Sequence, residues 1–413
     1  MRILVVGGVR SASGYGRVVR EVGRALAGLG EIVFVQVGQD DGQIATGPVL
    51  STPYPYDFVS YRFIPEVIRD WAPDVTLIIH DLAYCAALVG EISCCGGKSR
   101  LVTYCPFEGI LAHTAHLPML LEADTVVLYS QHDVGVLRGI LTAAHPPSPE
   151  PSRAQIFAIP HGVDQATFRP VLTGPLGRIN PACRDVARRV LLGEIASSQI
   201  SFLVLNANKN IGRKRIDATL RVFAAFAADK PSGVKLLLKS SARTSDGCDI
   251  AGIVQALGLE ERVLTTEALG MPDTLDDAAM NRLYNAADVG MNTSEGEGWG
   301  LIPYEHAACG IPQILPAHPT TAEYWSGYAG LIRVSLSSPR GGCFLAAEID
   351  EPAALDVLER LYRDEPFREQ AGLEAMAIAG RPDLAWSAIG ETWKDLVNPA
   401  FRQNLDRREQ AEI

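Results

Sequence analysis

No run of apolar residues in this chain approaches the roughly 20 needed to cross a bilayer, so no membrane-spanning helix is expected. Cysteine is sparse, with eight in 413 residues and none in a C-x-x-C pair. The adjacent Cys94 and Cys95 lack a second ligand pair at zinc spacing, so reduced thiols in a cytoplasm are the expectation. Positive charge is also short: 37 Lys and Arg against 48 Asp and Glu leave a net charge of −11. That balance argues against a general affinity for nucleic acid or anionic membrane surfaces, though it leaves room for a local basic site. The dinucleotide fingerprint GxGxxG is missing from the first glycine-bearing loop, where Gly14 and Gly16 flank Tyr15. The opening MRILVVGG carries one arginine and a very short apolar run, which reads as a first strand and not as a secretory leader.

What the chain does contain is an ordinary globular composition, 47% hydrophobic and 21% charged, over a length that exceeds one comfortable core. Two domains are expected. RILVVGG (residues 2–8) is a near-continuous apolar strand of the kind buried in a parallel sheet, followed by a turn, VRSASGYG, and an amphipathic helix from Val18. Further strands are read at 31–38, 74–79, 101–104, 125–130 and 155–160. The proline-rich stretch 142–153 reads as a surface loop. A linking helix is expected at 183–192, after which the rhythm restarts with strands at 201–205, 234–239 and 262–265 and helices at 216–228 and 276–288. Strands alternating with helices in two successive halves predict two Rossmann-like sheets, with ligands beyond the carboxyl ends of the strands. His80 and Asp81 stand at one such strand end.

The most informative stretch is NTSEGEGWGLIPYEHAACGIP, residues 292–312. A short strand, AADVGMNTS, leads into three glycines within five residues, Gly296, Gly298 and Gly300, and then into a helix from Leu301 that stops at Gly310 and Pro312. Glycines let backbone N–H groups approach a ligand, and the helix that follows directs its unpaired N–H groups and positive dipole end to the same place. Phosphate suits such a site. The carboxylates Glu297 and Glu305 would repel phosphate, so they address something neutral and rich in hydroxyls, such as a sugar or a ribose. A second feature completes the reading: NANKNIGRKRID (206–217) places Lys209, Arg213, Lys214 and Arg215 within seven residues at the end of another strand. In an acidic protein that concentration fits a diphosphate, which guanidinium and ammonium groups both hold well.

These segments resemble retaining glycosyltransferases of family 4. Glu297 and Glu305 stand seven residues apart as in the family's E-x7-E signature, and EGWGLIPYEHAACGIP is similar to its EGFGLPxxEAMAxGxP. PHGVDQATFRP (160–170) is similar to its PHGVDxxxFxP, and the basic loop to the subgroup pattern NRNxxRKRxD, with Lys209 where that pattern has its first arginine. The resemblance implies the GT-B fold, two Rossmann-like domains facing across a cleft. It places an acceptor-side domain at 1–170, a nucleotide-sugar domain at 171–384, and a final segment 385–413, with AWSAIGETW, returning to the first. It implies retaining, metal-independent transfer of a sugar from a nucleotide-diphosphate sugar to a hydroxyl acceptor, with no cofactor. Glu297, Lys214 and Arg213 then act at the sugar and the leaving diphosphate. Lys209, Gly298, Trp299, Gly300, Leu301 and Glu305 line the donor, and Ser13, Gly14 and Tyr15 of the first loop touch donor phosphate or acceptor. Where many members carry a histidine, this chain reads TYCPFEG, which leaves His80, Asp81 and Glu108 as acceptor-side candidates. His161, His306 and His318 are expected to be packed, and Thr320, Thr321 and Glu323 to border the cleft. Two other classes stay open: a GT-B phosphorylase or epimerase, and a non-catalytic nucleotide-sugar binding protein. The donor base, the sugar and the acceptor are not specified by these residues.

Overall fold

The structure, a computed structural model, describes residues 1–38, 40–51, 63–95, 98–144, 154–172, 182–240, 246–339 and 342–398. The chain divides into two compact units. The first comprises Met1–Phe107, His113–Gly162 and the chain from Trp386; the second comprises Glu108–Ala112 and Val163–Ala385.

The first unit is built on parallel strands β1 (Arg2–Gly7), β2 (Glu31–Gln36), β3 (Val49–Ser51), β4 (Val75–Ile79), β5 (Arg100–Tyr104), β6 (Thr125–Leu128) and β7 (Gln155–Ala158). Their order across the sheet is β3-β2-β1-β4-β5-β6-β7. Ile3, Leu4, Val5, Leu77, Ile78 and Val102 are fully buried, as befits strands covered by helices on both faces. The strand order reverses between β1 and β4, so the loops leaving their carboxyl ends diverge and leave a crevice there. The helix Trp386–Val397 also belongs to this unit. Its buried Trp393 meets Tyr104 edge-on with ring centroids 4.8 Å apart, and Gly390 lets the helix close on Ala25.

The second unit carries β8 (Phe202–Asn206), β9 (Val234–Leu238), β10 (Val263–Thr265), β11 (Val289–Met291), β12 (Gln313–Pro316) and β13 (Leu331–Ile332), all parallel, in the order β10-β9-β8-β11-β12-β13. Here the reversal falls between β8 and β11. A buried ion pair from Arg188 to Asp288 fixes the base of this sheet, Asp288 also accepting from Leu203 N–H at 2.7 Å. An antiparallel pair, Val334–Ser337 with Ala346–Ile349, follows the sheet.

Several elements differ from the sequence reading. Gly14, Tyr15 and Gly16 open the helix Gly14–Leu26 and do not form a turn. Ser13 caps that helix by accepting from Gly16 N–H at 3.2 Å, and a Cβ at Gly16 would stand 2.0 Å from the Ser11 carbonyl oxygen. Within the expected loop 142–153, residues 142–144 end the helix Gln131–Ala144, and 145–153 lie outside the described residues. The short strands β3 and β13, the antiparallel pair, and the helices Phe63–Trp71, Glu351–Arg363 and Glu365–Ala379 carry no reading in the sequence analysis. Residues 399–413 of the expected final segment also lie outside the described residues.

Candidate functional site

The loops leaving β8 and β11, the two strands beside the reversal, carry the basic segment and the glycine segment respectively. A buried polar chain joins them. Asn206 donates to Thr219 at 2.8 Å, Thr219 and Thr293 hydroxyls lie 2.7 Å apart, and Thr293 donates to the Arg215 carbonyl at 2.8 Å. Asn208 reaches both Asn206, at 2.9 Å, and Asn292, at 3.3 Å. Satisfied networks of this kind fix the relative placement of the loops that bear them.

Held in this way, Lys214 and Glu297 form an ion pair with side chains only 10% and 12% exposed. Arg213 completes the cluster, 3.8 Å from Glu297 and 2.9 Å from the Gly296 carbonyl, to which it donates. Burial pushes the Lys214 ammonium below its usual range, and Glu297 opposes that. Burial also pushes Glu297 up, but the charges of Lys214 and Arg213 outweigh it and bring the carboxyl down to about 2. Glu297 is therefore an ionised acceptor throughout the neutral range.

Arg215 is differently engaged. Its backbone sits in the left-handed region (φ 48°, ψ 50°) between the short turn Gly212–Lys214 and the helix Ile216–Ala227. Its guanidinium lies 3.0 Å from Asp217, 3.4 Å from Glu295 and 3.5 Å from Glu348. It ties the loops together. Lys209 is exposed on the same segment.

On the glycine loop, Gly300 takes φ 85° and ψ 70° and starts the helix Leu301–Ala308, and a Cβ there would press on Glu297 Cγ at 3.1 Å. Gly298 is buried, and Leu301 is half-buried in the first helical turn. Trp299 is buried and stacked on Tyr304 at 4.7 Å, so the indole packs the loop down onto the helix that follows. Glu305 is buried and accepts from the Tyr284 hydroxyl at 2.8 Å. Tyr284 is a residue the sequence reading missed; the 21-residue separation carries no local signal.

The histidines of this unit are buried, as expected. His306 Nε2 lies 3.1 Å from the Tyr284 carbonyl and His318 Nε2 2.9 Å from the Ser294 carbonyl, so each ring donates through Nε2. Burial pushes His306 down to about 3 and His318 to about 4. Thr320 and Thr321 are buried in the helix Pro319–Tyr324, which also carries Glu323.

Glu108 belongs to this second unit and not to the first, where the sequence reading had put it. Its carboxylate lies 3.4 Å from Arg213, and its carbonyl accepts from Glu297 N–H at 2.8 Å.

In the first unit, Tyr15, in the first turn of the helix after β1, donates from its hydroxyl to Asp81, just past the end of β4, at that sheet's own reversal. His80 Nδ1 accepts from Asp81 N–H at 2.8 Å, and its ring lies 4.3 Å from that of Tyr84. Burial lowers the His80 pKa, with Asp81 opposing. Gly14 supplies the first residue of the helix beside them. His161 is buried, 2.7 Å from the Tyr104 hydroxyl, and burial pushes it down to about 3.

No family model matches the chain. Among curated proteins, the D-inositol 3-phosphate glycosyltransferase of Kineococcus radiotolerans is 24% identical over 270 residues, which is 62% of this chain and 54% of that one. The chain spans about half the length of the curated relatives it matches. Among solved structures, sucrose-phosphate synthase from Thermosynechococcus elongatus superposes with a TM-score of 0.71 at 19% identity, over 98% of this chain and all of that one (100%). Anabaena HepE, solved in complex with UDP, gives 0.65 at 15% identity over 96% of this chain and 99% of its own. No helix among the described residues is long and apolar enough to cross a membrane. The chain has the GT-B fold, and its curated relatives bear out the resemblance to glycosyltransferases read from the motifs.

Proposed function

We propose that this chain is a retaining, metal-independent glycosyltransferase of the cytoplasm that moves a sugar from a nucleotide-diphosphate sugar to a hydroxyl acceptor. The observation that carries the reading is the cluster of Arg213, Lys214 and Glu297 at the carboxyl ends of β8 and β11. When the bond between the anomeric carbon and the diphosphate oxygen breaks, negative charge collects on the departing oxygen and positive charge on the ring. Arg213 and Lys214, with the backbone N–H groups at the start of the helix Leu301–Ala308, receive the first. Groups fixed in place before the reaction stabilise such charge without reorganising, an effect of about 3–4 kcal/mol per well-placed group. Glu297, an ionised acceptor, grips the sugar hydroxyls and favours the cationic ring; Glu305, held by Tyr284, takes the ribose hydroxyls.

The acceptor hydroxyl forms its bond to the anomeric carbon on the face the diphosphate leaves and passes its proton to the departing phosphate oxygen. Configuration is kept, and no metal is needed because the cations supply the positive charge. Lys209 and the backbone of Gly298 and Gly300 extend the donor side; Gly14, Tyr15 and His80 are the acceptor-side residues in this reading. The UDP of HepE makes uracil the first base to test, and the inositol phosphate named for the curated relatives the first acceptor.

The test is mass spectrometry of products from a panel of UDP-, GDP- and ADP-sugars offered with D-inositol 3-phosphate and with host small-molecule extract, followed by NMR of the anomeric linkage. A new glycoside with the donor's anomeric configuration is expected. Inverted product would overturn the retaining mechanism, and the absence of product across the panel would overturn transfer itself.

A further inference from the structure

Glu108 reaches the cationic cluster along an unusual route. In sequence it follows β5 of the first unit by a few residues, yet Glu108–Ala112 is part of the second. Backbone bonds seat the segment: Leu345 N–H donates to Ile110 at 2.8 Å, Ala112 N–H to Cys343 at 2.8 Å, and Glu297 N–H to Glu108 at 2.8 Å. The seat is close. A Cβ on Gly296 would stand 3.1 Å from the Glu108 carbonyl oxygen. That contact sets the Glu108 carboxylate, a quarter exposed, 3.4 Å from the Arg213 guanidinium, and its charge also favours the charged form of Lys214.

The formal charges of Arg213, Lys214, Glu108 and Glu297 sum to zero. Of the two carboxylates, Glu297 has a purpose in gripping hydroxyls. Glu108 approaches Nη2 of Arg213 while Glu297 approaches Nη1, and a further anion would be drawn to the same guanidinium. We propose that Glu108 is a positioning residue that competes with the diphosphate for Arg213, aiming that side chain while weakening the hold on the nucleoside diphosphate product. The inference rests on the reading of Arg213 and Lys214 as the diphosphate receiver. It assigns Glu108 to product release and not to the acceptor.

The test is titration calorimetry with inorganic pyrophosphate, a probe independent of the base, and with UDP, GDP and ADP. Glu108→Gln removes the charge but keeps the backbone bonds, and Glu108→Asp keeps the charge. Glu108→Gln is expected to bind these anions roughly fivefold more tightly, a modest gain because the pair is partly solvated, and with a steeper dependence on salt. Glu108→Asp is expected to bind as the wild type does. Unchanged or weaker binding by Glu108→Gln would overturn the competition, as would equal tightening in Glu108→Asp, since charge would then not be the cause. Wild-type protein that binds none of these anions would instead remove the reading of the cluster, and the competition with it.

Discussion

Lys214 and Glu297 pair across two loops that are 83 residues apart in the chain and adjacent in space. Both side chains are about nine-tenths withdrawn from water. A pair so placed is costly to break from one side, because the remaining charge keeps its desolvation penalty and loses its partner. Lys214→Met and Glu297→Gln are each expected to destabilise the chain by about 3 kcal/mol, and the double variant by clearly less than the sum. Urea denaturation of the four proteins measures this; additive losses would mean that the two charges are not coupled.

Tyr284→Phe removes one hydroxyl and leaves Glu305 without a bond that is 2.8 Å long in this structure. A hydrogen bond to a charged group contributes about 1.5–3 kcal/mol. If Glu305 holds the ribose, KM for the donor should rise about tenfold or more with little change in kcat, because the interaction is equal in ground and transition states. A fall in kcat at unchanged KM would place Glu305 in the chemical step.

Gly300→Ala tests the start of the signature helix. An L residue at φ 85° costs about 1–2 kcal/mol, and the new methyl would press on Glu297. Both stability and turnover are expected to fall, whereas a change in stability alone would show that Glu297 has room to adjust.

Stability should decline on the acid side in two stages. Buried His161 and His306, pushed down to about 3, and His318, to about 4, stay neutral when folded but take protons near pH 6.5 when unfolded. Each therefore lowers stability by up to about 1.4 kcal/mol per pH unit as pH falls below 6.5, until its folded pKa is reached. Glu297 and Asp217, both held near 2, contribute stability above their ordinary values of 4.5 and 3.8 that is lost as pH falls toward 2. Melting temperature should thus fall below pH 6.5 and fall faster below about 4.5. His306→Gln should flatten the first stage; an unchanged curve would mean that His306 titrates alike in the folded and unfolded chain.

Much of this site was legible because its signals are local. The glycine spacing, the helix stop at Gly310 and Pro312, and the cations from Lys209 to Arg215 all lie within short segments. Strands such as β1 and β4 are legible because burial on both faces makes them continuous apolar runs. Glu108 was placed in the wrong half because its position depends on Cys343 and Leu345, far along the chain, and backbone bonds leave no side-chain signature. Arg215 could not be told from its neighbours by composition, since its left-handed backbone turns it from the cluster toward Asp217 and Glu295. Tyr15 read as a turn residue because two glycines flank it, although Ser13 caps a helix there.

The most direct test of the proposed chemistry is nucleoside diphosphate release from the donor panel, compared between the wild type and Lys214→Met. Release that depends on added acceptor, and that falls by about 100-fold or more in the variant while circular dichroism still shows a folded chain, is the expected result. Equal rates in both proteins, or no release from any nucleotide sugar, would contradict the assignment of this buried cation to the leaving diphosphate.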